Sequence, residues 1–180
     1  PGGIEAWLVE EPAIPMVAME LSFQGGSSLD PEGDEGAANF LAGMLEEGAG
    51  ELDAVEFAES AQLLGARFGF DAGRDTVSIS ARMLSDATRE SLELLRLALA
   101  EPRFDGQAME RVRGQILSAI RSDESDPRAL ASDAWWSAAF PDDPYGRPVE
   151  GTLESVVSLT ADDLRVTRDR VLNAGAVTIG

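Results

Sequence analysis

Gly36-Ala37-Ala38-Asn39-Phe40-Leu41-Ala42-Gly43-Met44-Leu45-Glu46-Glu47-Gly48 decides how the chain folds. Ala37, Phe40, Leu41, Met44 and Leu45 recur at the spacing of one α-helical face, which predicts a buried stripe. Asp34 and Glu35 precede it, and their charge suits a helix N-terminus. Gly48 and Gly50 stop it. Asn39, Ala42 and Gly43 fall on a neighbouring face, at i, i+3 and i+4.

Upstream, 4–10 and 14–23 predict two strands joined around Pro12 to Pro15, the second with a near period of two. A Gly-Ser loop (24–28) follows. Asp30, Glu32, Asp34 and Glu35 then crowd before the helix. They have the chemistry of a calcium loop but not its spacing.

Downstream, Asp53-x-x-Glu56 is a capping box for a helix reaching about Leu64, with Val55, Phe57, Ala58, Ala61, Leu63 and Leu64 on its apolar side. Stretches 66–72 and 76–83 predict a hairpin around Gly73-Arg74-Asp75. Ser85 is a candidate cap for a helix over 86–100, with Leu92, Leu95 and Leu99 facing the core. A long helix follows over about 105–122, and Asp126-Pro127 opens another that holds Trp135, Trp136 and Phe140. That aromatic cluster suits a core or an interdomain contact. After a Pro- and Asp-rich loop comes a short helix over 150–157. Thr160-x-x-Asp163 caps a last helix, and 176–179 closes as a strand. Strands, then helices, then a strand predict one α+β domain: a mixed, largely antiparallel sheet covered by helices.

The chain has 14 Lys and Arg against 33 Asp and Glu, a formal charge of −19. Such a surface repels nucleic acid phosphates, so no nucleic-acid partner is expected. High solubility accounts for the charge, and attraction of basic peptides is the alternative. No apolar run reaches the roughly 18 residues of a membrane helix, so no insertion is expected. The sequence contains no His and no Cys. Imidazole and thiolate catalysis are therefore excluded, as is imidazole ligation of zinc.

The helix face bearing Asn39, Ala42 and Gly43 has a known use. An inverted zincin motif, His-x-x-Glu-His, binds zinc there and positions a base for peptide hydrolysis. The stretch resembles the surroundings of that motif in the pitrilysin-type peptidases, matching at Gly36, Phe40, Leu41, Met44, Leu45 and Gly48. Asn39 stands where the first His would be, Ala42 where the Glu would be, and Gly43 where the second His would be. The resemblance continues in order through the Gly-Ser loop, the Pro102-Arg103-Phe104 turn, Asp126-Pro127, Pro144-Tyr145-Gly146, Gly151 and the Leu159 to Leu164 signature. The family's third zinc ligand, a Glu on the long helix, aligns with Ala119.

The resemblance implies an N-terminal half-domain of that fold, occupying 1–180 and cut from a longer two-half chain. With Asn39, Ala42, Gly43 and Ala119 all vacant, it implies no catalytic residue, no bound metal and no cofactor. Vacated chains of this family, such as the alpha subunit of mitochondrial processing peptidase, pair with a zinc-bearing subunit. The expectation is therefore a non-catalytic partner in a heterodimer, shaping a chamber for extended peptides. Two alternatives stand: a stand-alone scaffold like respiratory core subunits of the same descent, and a carboxylate-only metal site near Asp30 to Glu35. Two-chain relatives suggest a bacterial periplasmic setting, and the cytoplasm is also compatible.

Overall fold

The computed structural model describes residues 5–11, 13–173, 175 and 177–180. Its frame is a pair of long strands, β2 (Met16–Gln24) and β6 (Thr76–Leu84), antiparallel from Met16↔Leu84 to Gln24↔Thr76. β5 (Arg67–Ala72) pairs antiparallel with β6 and forms one edge. On the other side β7 (Val177–Ile179) pairs antiparallel with β2, and β1 (Glu5–Ala6) runs parallel to β7. A small ladder joins β3 (Gly48–Ala49) to β4 (Leu52–Asp53).

The helices are α1 (Ala37–Met44), α2 (Ala54–Leu63), α3 (Thr88–Ala100), α4 (Gly106–Asp123), α5 (Pro127–Ala139), α6 (Leu153–Ser158) and α7 (Ala161–Val171). They sit on one face of the sheet. On β6, buried Val77, Ile79, Ala81 and Met83 alternate with more open Ser78, Ser80 and Arg82, the pattern of an antiparallel sheet wet on one side. Phe40, Leu41, Met44 and Leu45 are wholly buried, so α1 is the central helix, packed against α4, α7 and β5. The α+β reading, the buried stripe, the hairpin and the capping boxes at Asp53 and Thr160 all hold. A further capping box pairs Thr152 with Ser155 and starts α6 at Leu153 rather than at 150.

Several expectations change. Among the described residues the first strand is Glu5–Ala6; Trp7 N–H donates to Ile179 O at 2.8 Å, and Leu8 and Val9 are exposed. Ile4, Pro12 and Ala176 lie outside the described residues. Ser85 makes no cap. It begins a 3₁₀ turn, and α3 starts at Thr88, whose hydroxyl donates to the Leu84 and Ser85 carbonyls. Leu92 is 39% exposed, because Leu94, Leu95 and Ala98 take the inner face of α3. On α2 only Phe57 is buried, and Leu63 is 88% exposed. Among the described residues, no helix is long and apolar enough to cross a membrane.

Candidate functional site

The N-terminus of α1 is gripped from three sides. Asp30 sits at the end of a 3₁₀ turn, with its carboxylate turned inward and only 4% of the residue exposed. It accepts from Gly36 N–H at 3.1 Å and from Ala38 N–H at 3.2 Å, so it caps α1 from six residues upstream of Gly36. Arg170 of α7 approaches it to 3.6 Å. Burial pushes the Asp30 carboxyl up to about 6, against the opposing pull of Ala38 N–H, Arg170, and the Gly36 and Ala37 N–H groups. Asp34 and Glu35, the expected entry charges, lie outside the helix. Glu35 lies 3.8 Å from Arg147, which also donates to Asp30 O at 3.0 Å.

Gly36 and Gly151 close the third side. Both have positive φ, 88° and 83°, and each backbone lies against the other's strand of chain. The Ser155 hydroxyl donates to Glu35 O at 2.7 Å and locks the start of α6 to the same point.

The seam between α1 and α4 includes Gly43. Glu47 pairs with Arg111, Gly43 opposes Val112, and Phe40 lies under Arg113, whose guanidinium carbon is 5.1 Å from the ring centroid. Asn39 is half-buried, and among the described residues its amide has no hydrogen-bond partner. Gly43 and Ala119 are exposed. Ala42 differs from expectation: at 4% exposure it belongs to the core cluster, since a methyl group adds little beyond the helix backbone. Arg113 also donates to the Val157 and Leu159 carbonyls at 3.2 and 2.9 Å, tying α4 to the end of α6.

Beside the C-terminal end of α1 lies an open groove of about 1040 Å³, lined among others by Glu46, Glu47, Phe57, Arg67, Arg103 and Arg111. Partial burial, and then the neighbouring Glu47 charge, raise the Glu46 carboxyl. The groove mixes both signs of charge. It does not include Asn39, Gly43 or Ala119.

Residues 6–153 match the pattern of the insulinase family, peptidase family M16. The chain belongs to that family. It is 31% identical over 173 residues to the non-peptidase homolog YmxG of Helicobacter pylori, covering 95% of this chain and 40% of that protein. Its fold matches the crystal structure of a peptidase M16 inactive domain from Pseudomonas fluorescens, with a TM-score of 0.93 at 29% identity, over 99% of this chain and 43% of that one. It also matches the fold of pitrilysin, with a TM-score of 0.84 at 20% identity, over 99% of this chain and 20% of that one. The chain thus spans about 40% of the length of curated M16 relatives.

Several relatives are named zinc proteases, and the face of α1 bearing Asn39, Ala42 and Gly43 does not fit that metal. Asn39 offers only a neutral amide. Ala42 is a buried methyl, and a Cβ added at Gly43 would stand 2.9 Å from Val112 Cγ1. Among the described residues, no group of three or more His, Cys, Asp or Glu is arranged to hold a metal ion. The acidic run 30–35 is drawn apart, with Asp30 capping α1 and Glu35 facing Arg147. Sequence reasoning passed over Arg147, Ser155 and Arg170 in this M16 frame. Their partners are remote, with Arg147 meeting Asp30 across 117 residues and Ser155 meeting Glu35 across 120. The one visible signal was Gly151.

Proposed function

We propose that this chain is a non-catalytic M16 domain that shapes a peptide-holding chamber together with a zinc-bearing partner chain. One observation carries the reading. The frame that positions the motif helix is intact, with Asp30, Gly36, Gly151 and Ser155 all engaged, while Asn39, Ala42, Gly43 and Ala119 supply neither base nor metal ligand. A helix held this firmly without its chemistry is useful as a wall. The naming of the H. pylori relative as a non-peptidase homolog supports the same reading. So does the naming of the P. fluorescens structure as an inactive domain.

Peptide binding has its own support. β5 is an edge strand beside α1, and an edge offers N–H and C=O groups to an added extended segment.

The test is peptide hydrolysis by this chain alone, with added zinc, and with a companion chain carrying His-x-x-Glu-His. No turnover alone and turnover that needs both chains is the expected result. Chelator-sensitive turnover by this chain alone overturns the non-catalytic reading. Failure of any companion chain to associate leaves the scaffold alternative and removes the chamber.

A further inference from the structure

α5 contains no buried residue. One side of it, Trp136 with the following Phe140, turns toward the Pro144–Gly146 turn, where Phe140 and Tyr145 rings stand 5.5 Å apart. The hairpin between β5 and β6 clamps that side. Arg74 lies 3.9 Å from the Trp136 ring centroid, and its Nε donates to Tyr145 O at 3.1 Å. The Tyr145 hydroxyl bonds the Asp75 carboxylate.

The outer side carries Leu130, Ala131, Ala134 and Ala138 at the spacing of one helical face, with Trp135 at its margin, its ring edge-on to Trp136 at 4.8 Å and 6.4 Å from Phe140. All are exposed; Leu130 keeps 50% and Trp135 59% of its surface open. An ordered apolar face left in water marks an interaction site. The charge around it says what kind. Asp123, Glu124, Asp126, Asp133, Asp142 and Asp143 bracket α5 and its ends, and among the described residues none is in an ion pair. Arg121 and Arg128 oppose them nearby, and Arg74 at Trp136 and Arg147 beside Asp142 and Asp143 lie on the inner side, so carboxylates still outnumber guanidinium groups around α5. A second copy of a chain of charge −19, or an anionic lipid surface, is repelled here. The shape decides further: a helix face clear of the body is convex, so it enters a groove and cannot enclose a peptide.

We propose that the outer face of α5 docks into an apolar groove rimmed by Lys and Arg on the zinc-bearing partner chain. The inference rests on the paired-chain reading above. Its test mixes the full chain with the companion chain carrying His-x-x-Glu-His and measures association by calorimetry at low and high salt. Leu130→Ser/Trp135→Ser weakens binding at least tenfold, Asp133→Lys weakens it at low salt, and Ala18→Glu on the bare sheet face leaves it unchanged. Unchanged circular-dichroism melting of each variant checks that the fold is kept. If the double variant binds as the parent does, the docking face is wrong and the pairing stands. If the parent itself does not bind, the paired-chain reading fails and this inference falls with it. A photo-crosslinker at Ala134 gives a second readout: crosslinks to the companion chain support docking, and crosslinks confined to the chain's own residues overturn it.

Discussion

Gly36 and Gly151 meet backbone to backbone. A Cβ on Gly36 would stand 2.5 Å from Glu150 O, and one on Gly151 would stand 2.2 Å from Glu35 O. Positive φ at both positions adds strain of about 1–2 kcal/mol for any L side chain. Neither obstacle is a side chain that can swing away. Gly36→Ala and Gly151→Ala should therefore each lower stability by roughly 2–4 kcal/mol. Because one contact surface is spoiled in both, the double variant should cost clearly less than the sum. Urea unfolding with unchanged slope measures this, and additive losses would show the two glycines to be independent.

Asp30 gives a pH dependence with a definite sign. Its folded carboxyl is raised from 3.8 to about 6, so the folded chain holds the proton more tightly than the unfolded chain. The stability this group contributes is full below pH 3.8 and is lost as pH rises through about 6. The size is about 2–3 kcal/mol. Asp30→Asn removes the titration. The stability of the parent minus that of Asp30→Asn should fall between pH 4 and 6.5 and level off above it. A difference that rises over this window would mean that Arg170 and the α1 N–H groups outweigh burial.

The structure of α1 was legible because its signals are local. The stripe from Ala37 to Leu45 repeats within one helix, and the boxes at Asp53 and Thr160 span three residues each. The hairpin from 67 to 84 was equally local. What stayed hidden acts at a distance. The Asp30 cap looked like part of an acidic cluster, because nothing in 30–35 shows that one carboxylate turns inward toward Arg170. Leu92 matched a helical period, yet Leu94, Leu95 and Ala98 fill the inner face of α3. For the motif face, residue types at 39, 42, 43 and 119 were plain. The burial of Ala42 and the closeness of Val112 to Gly43 needed coordinates.

Arg74 holds α5 to the rest of the fold through Trp136 and Tyr145. A helix that buries none of its residues has little else to keep it ordered. Arg74→Ala should raise amide exchange selectively across 127–146 and cost about 1–3 kcal/mol locally. Exchange in α1 and β6 should stay as in the parent. Hydrogen exchange by mass spectrometry separates the cases: a uniform rise across the chain would mean that the clamp serves the whole domain.

Gly43 decides whether the zinc chemistry could be restored by substitution. Gly43 stands in the last turn of α1, one residue before its end at Met44, where Gly costs somewhat less than the roughly 1 kcal/mol of a helix interior, so Gly43→Ala on an unobstructed helix should still stabilise. Here the new Cβ would press on Val112 Cγ1 at 2.9 Å. The two effects oppose each other, and Val112→Ala removes the second. In a Val112→Ala background, Gly43→Ala should stabilise by up to about 1 kcal/mol; in the parent it should be neutral or unfavourable. The same obstacle stands in the way of a larger residue. Asn39→His/Ala42→Glu/Gly43→His/Ala119→Glu should bind zinc weakly, with clear improvement on adding Val112→Ala. Zinc titration followed by calorimetry tests this. Tight binding with Val112 in place would mean that the α1–α4 seam yields easily and that only the four side chains stand between this domain and a metal site.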